Sequence, residues 1–219
     1  MSETSYVTVL DLAAGGLLLS AVLVVWRRDL AALVRLLSWQ GVALAAIPVT
    51  LGAHLHDAAL LGVGVGVGVL RAVVIPRVVA RLLLHEGSPR ETEPVLNTVS
   101  GLLAVAVLTA LAYATSRSLV ALDPTPATHA IPLALAVVLI GILVLVTRRR
   151  ALSQVVGLLL LDNGIAAVAF LATAGVPLVV ELGASLDVLL AVLVLQLLGD
   201  RMRISFGGTD LGELRELHE

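Results

Sequence analysis

Arg35, Arg71, Asp162 and Asp187 each interrupt long apolar stretches of sequence, where water would not reach them. A guanidinium or carboxylate at the centre of a bilayer costs about 2.5–3.5 kcal/mol on an insertion scale, or ~10 kcal/mol for the four. Side chains kept at that cost pair with one another or handle charge. A carboxyl group away from water exchanges its proton in response to a neighbouring cation, so acids and bases at similar depth can form a relay. Asp162, Asp187, Arg71, Glu181 and Arg35 are the candidate proton relay. Asp162 and Asp187 are its mid-helix acids, and Arg71 is their electrostatic counterpart. Asn163, next to Asp162, can hydrogen-bond either protonation state of a carboxyl. Glu181 sits nearer a span end and would serve as an aqueous entry, although six residues separate it from Asp187 and place the two on different helix faces. Asp11 also lies near an end, where its role reads as structural. The competing interpretation of the whole set is ion pairing as glue between helices.

Other chemistries find no residues to carry them. The chain has no cysteine, which excludes disulfides, iron–sulfur ligation and thiolate zinc sites. His54, His56, His85, His129 and His218 fall in loops or the tail, too scattered for a metal or haem set. No Ser-His-Asp set or phosphate loop occurs at credible spacing, so no catalytic residue, cofactor or metal is expected. No basic, aromatic-interleaved surface suggests nucleic acid. Gly62, Gly64, Gly66 and Gly68 alternate with valine in an apolar run, giving two small-xxx-small pairs on nearly opposite helix faces. They precede Arg71 and Pro76, and the proline removes a backbone donor, so a kink beside a buried charge is expected.

The elements that must position these groups are transmembrane helices. Hydrophobic residues make up 59% of the 219-residue chain and charged residues only 14%, with mean hydropathy +1.06, which makes lipid the main solvent. Apolar runs near 9–26, 30–52, 58–82, 96–115, 130–147, 151–174 and 177–199 give seven spans of bilayer length. Backbone groups in lipid must be satisfied within each segment, and the runs lack the alternation of barrel strands, so the fold class is all-α and polytopic. The chain has no lysine, and its arginines gather in alternate loops: Arg27 and Arg28; Arg77, Arg81 and Arg90; Arg148, Arg149 and Arg150; Arg201, Arg203 and Arg215. The opposite loops hold only Arg117. The positive-inside rule therefore sets the N-terminus outside and the C-terminus in the cytoplasm, consistent with an odd span count.

A shift of 123 residues lays Arg27, Gln40 and Gly41 over Arg150, Asn163 and Gly164. This suggests two parallel three-helix repeats, 9–82 and 130–200, joined by a linking helix at 96–115 and followed by a cytoplasmic tail at 201–219. In the tail, Asp210 reads as a helix cap, with Leu211, Leu214 and Leu217 on one side.

The stretch RRRALSQVVGLLLLDNGIAAVAF followed by VELGASLDVLLAVLVLQLLGDRM, together with Arg71 in GVLRAVVIP, resembles the component E membrane subunit of group 4 nickel–iron hydrogenases of the formate hydrogenlyase type. The last third is similar, more distantly, to subunit K of respiratory complex I and its relative in multisubunit cation/proton antiporters. Here the subunit K carboxylate position falls on Leu159, with Asp162 three residues on, and Asp187 lies within about one position of the other glutamate. The resemblance implies a non-catalytic membrane-arm subunit in the cell inner membrane. Its implied partners are antiporter-like proton-pumping subunits, coupled to a redox module through lateral chains of buried charge. A purely structural scaffold subunit and a stand-alone small transporter are the rival expectations.

Overall fold

The computed structural model describes residues 2–83, 97–122, 124–148 and 151–173. Every regular element among them is helical: α1 (Glu3–Trp26), α2 (Leu30–Leu55), α3 (Ala58–Val67), a π-helical segment (Gly68–Val74), α4 (Ile75–Leu83), α5 (Thr98–Leu122), α6 (Pro126–His129), α7 (Ile131–Thr147) and α8 (Ala151–Thr173). Six stretches are long and apolar enough to cross a membrane: Glu3–Trp26, Leu30–Leu55, Ala58–Arg81, Thr98–Leu122, Pro126–Thr147 and Ser153–Ala172. The protein is an all-α polytopic membrane protein. The seventh expected span, 177–199, and the tail, 201–219, lie outside the described residues, and so do Glu181 and Asp187.

The two helix boundaries that differ most from the apolar runs each do so for a local reason. α1 begins well before residue 9 because the Ser2 hydroxyl caps it by accepting from the Ser5 N–H at 3.3 Å. α5 runs past residue 115 because its polar side chains are satisfied within the helix. Thr115 Oγ1 donates to the Leu111 carbonyl at 2.9 Å, and Ser116 Oγ to that of Ala112 at 2.7 Å.

α1 and α2 pack as one hairpin, joined by a short capped turn, and α7 packs against α8 as a second pair. Asp29 caps α2 by accepting from Ala32 N–H at 3.3 Å. The two pairs lie side by side, α1 against α7 and α2 against α8. The third span packs on α2, and α5 leans on α7 and α1 from outside, burying only Gly101, Val105, Ala112 and Ser116. The interior between the pairs is mostly aliphatic, built from residues such as Leu10, Leu17, Leu44, Ile47, Ile140 and Leu160, with Phe170 fully buried among them. Between α7 and α8 there is room only for hydrogen, since a Cβ on Gly141 would stand 2.5 Å from Leu161 N.

The third span is not one continuous α-helix. From Gly68 to Val74 the backbone widens into π geometry, and the Ile75 N–H bonds back five residues to the Leu70 carbonyl. Pro76 supplies the reason: it lacks a donor and its ring presses on the preceding turn. The widened turn takes up that strain and carries Arg71. The alternating glycines divide as the pattern suggested, but among the described residues only one pair is packed against. Gly64 lies against Val49 and Gly68 against Ala45, whereas a Cβ on Gly62 or Gly66 would meet nothing within 4 Å.

Candidate functional site

Three helical segments converge on a polar cluster within the bundle. Arg71, from the π segment, is 3% exposed, and its Nη1 lies 2.7 Å from Asp162 Oδ2 on α8. The same nitrogen donates to Asn163 Oδ1. Asn163 Nδ2 in turn donates to Gln40 Oε1 on α2 at 2.8 Å. Gln40 is fully buried, and its Nε2 has no hydrogen-bond partner among the described residues. Consecutive helical residues diverge by about 100° around the axis, so α8 can turn Asn163 inward while Asp162, with a side chain 19% exposed, forms the rim.

This order of donors and acceptors is chemically constrained. Arg71 only donates, so Asn163 must offer its oxygen to it and its amide nitrogen to Gln40. Arg71 therefore fixes which way round the Asn163 amide sits, and Asn163 in turn fixes that of Gln40. Among the described residues the Arg71–Asp162 pair is formally neutral, and the attraction between the two charges offsets part of their desolvation. A neutral pair with one member at the rim is an arrangement that can exchange a proton or loosen when a nearby charge changes.

The backbone brings Arg71 this close to α2 through Gly41. A Cβ there would lie 2.5 Å from the Arg71 carbonyl carbon and the Ala72 nitrogen. Gln40 and Asn163, which match under the 123-residue shift, touch each other. The glycines beside them do different work: Gly41 faces the π segment, whereas Gly164 faces Val138 on α7, 2.7 Å from a Cβ to its nitrogen.

Arg35 is not part of this cluster. It is exposed on α2, on the side carrying Trp39 and Val42. Asp11 is exposed on α1. Two residues carry more than their sequence context suggested. Gln40 stood out only through the repeat offset, although a glutamine in mid-span is itself a signal. Arg148, counted among loop arginines, is buried, and its Nη2 donates to the carbonyls of Val24 (3.0 Å), Val25 (3.3 Å) and Arg27 (2.9 Å). It thereby places a positive charge on the negative end of the α1 dipole.

At the opposite end of the bundle a cavity of about 420 Å³ is bordered by Glu3, Tyr6, His54, Thr125 and Thr128. Tyr6 and His54 stack there with ring centroids 4.1 Å apart.

These features define a polytopic helical membrane protein with a charged and amide-linked interior. The chain is 54% identical over 220 residues, covering all of both chains, to "Uncharacterized protein Rv0085" of Mycobacterium tuberculosis (strain ATCC 25618 / H37Rv), and it belongs to the family of that protein. No family model matches the chain. No solved structure matches it either.

Proposed function

We propose that this chain is a non-catalytic membrane-arm subunit of a multisubunit redox-driven or antiporter-like complex, contributing buried charges to proton or sodium translocation and its coupling. The observation that carries this reading is the Arg71–Asp162 pair, buried between helices and joined through Asn163 to Gln40. Intramembrane ionisable residues facing a bundle interior mark ion pathways more often than they mark simple packing. The resemblance of residues 148–203 to hydrogenase component E and complex I subunit K points the same way; Asp187 and Glu181, outside the described residues, remain candidates for the same relay, and Arg35 stands apart from the cluster. The arginine-bearing loops lie in the cytoplasm and the N-terminus outside, in the cell inner membrane.

A scaffold role is the second reading, favoured by one feature: the cluster ties α2, the π segment and α8 together, as a structural cross-brace would. The two separate in one experiment on the assembled complex in inverted vesicles. Asp162→Asn and Asp187→Asn should leave assembly intact and lower the ions moved per redox turnover, and Arg71→Leu should do the same. Normal coupling in all three variants sinks the translocation reading, and loss of assembly in place of coupling supports the scaffold.

A further inference from the structure

We propose that the outward face of α1 around Asp11 is the docking site for a transmembrane helix of another subunit, one that presents an arginine or lysine to the Asp11 carboxylate. The inference rests on the subunit reading above, since the occupant is another chain.

Depth is the first ground. Tyr6 and Trp26 lie 20 residues apart on α1, which at helical rise is about 30 Å, the thickness of the hydrocarbon core. Asp11 lies 15 residues from Trp26, the exposed aromatic at the far end of α1, or about 22 Å into that core and roughly 7.5 Å short of its opposite boundary. A carboxylate on one methylene cannot reach the headgroups from there. Arg35 is also exposed, five residues inside the start of α2, but its long side chain can extend to the nearer end of the bundle.

The second ground is that Asp11 has no counter-charge among the described residues. Asp11 makes no hydrogen bond or ion pair with the described residues. The remaining apolar run, 177–199, carries only the acids Glu181 and Asp187, with Arg201 and Arg203 beyond its end. In this proposal the base that a carboxylate at this depth requires is supplied by the other subunit. A symmetric pairing of two copies through this face would oppose Asp11 to Asp11.

The third ground is shape. A Cβ on Gly15, one turn from Asp11, would meet nothing within 4 Å, and Leu12 and Leu19 on the same side are 70% and 60% exposed. A polar group beside a small residue and flanking leucines is the form by which membrane helices associate closely. The open face of α5 over Val99, Leu103, Val107 and Leu111 has the same exposure without any charge until Arg117 near the other end of the helix, and suits lipid there.

The test places a photo-crosslinking amino acid at Leu12 or Leu19, with Leu103 on α5 as control, in the full chain in its native membrane. Leu12 and Leu19 should each yield one discrete adduct with another membrane protein. Peptide mapping should locate it on a helix bearing arginine or lysine at matching depth. Asp11→Glu should keep the yield, and Asp11→Leu and Asp11→Arg should lower it about tenfold or more, with monodispersity in detergent confirming that each variant folds. Adducts only with lipid, with a second copy or with a helix lacking a base overturn the proposal, as does a yield unchanged by Asp11→Leu. If membrane subunits co-purify in mild detergent but no such adduct forms, this inference fails and the subunit reading stands. If nothing co-purifies, both fail.

Discussion

Arg71 and Asp162 make an ion pair whose two halves are not equivalent. Arg71 is buried and permanently charged, whereas Asp162 sits at the rim and can take up a proton. Asp162→Leu leaves the buried guanidinium without that carboxylate and should destabilise the protein by about 3–5 kcal/mol. Arg71→Leu should cost less, and the Arg71→Leu/Asp162→Leu double variant should be more stable than Asp162→Leu alone. Thermal unfolding in detergent, followed by the fluorescence of Trp26 and Trp39, checks the order; an Asp162→Leu protein as stable as the parent refutes it. Gln40 gives a second expectation at this scale. Gln40→Leu removes the acceptor of Asn163 Nδ2 and should cost about 1–3 kcal/mol. Because the two residues form one network, Gln40→Leu and Asn163→Leu should combine to less than the sum of their separate effects.

The elements are held by close approach more than by side-chain bulk. α2 meets the π segment at Gly41, where a Cβ would stand 2.5 Å from backbone atoms that have no flexible end to move. Gly41→Ala should therefore force α2 and the π segment apart and cost about 1–3 kcal/mol. Gly66→Ala meets nothing within 4 Å and should be neutral, or stabilising by up to about 1 kcal/mol through reduced chain entropy. Melting temperatures of the two variants, one on each helix, give the comparison directly. Equal effects would mean that the Gly41 contact does not constrain the bundle. The same contact links element to site, because displacing the π segment also displaces Arg71 from Asp162 and Asn163.

Across the whole molecule, two helix pairs are tied together by Arg148, which reaches from the end of α7 to the last carbonyls of α1. Arg148→Ala should cost about 1–3 kcal/mol, because a charged donor and three acceptors lose one another. Arg148→Lys should recover only part of this, since one ammonium cannot reproduce the span of a planar guanidinium. Urea or thermal unfolding in detergent measures both. Orientation is open to direct measurement because the chain has no cysteine of its own. A cysteine introduced at Ser2 should react with a membrane-impermeant maleimide in intact cells, and one at Arg28 only after permeabilisation. The reverse pattern would overturn the assigned topology.

The sequence by itself determined the solvent, the helical class and six of the spans now described, because lipid imposes a length and an internal hydrogen-bonding requirement that any apolar run must obey. It also marked Arg71 and Asp162 as candidates, since a charge in such a run is conspicuous wherever it points. Direction was what it could not supply. Arg35 and Arg71 look alike in sequence, yet one is exposed and the other buried, because rotation about a helix axis is set by the neighbouring helices. For the same reason Arg148 read as a loop charge and Gln40 as half of a weak repeat. Only the tertiary structure brought residues 40, 71, 162 and 163 into one hydrogen-bonded cluster and left Asp11 facing outward, since contacts between residues some hundred positions apart depend on how the helices assemble.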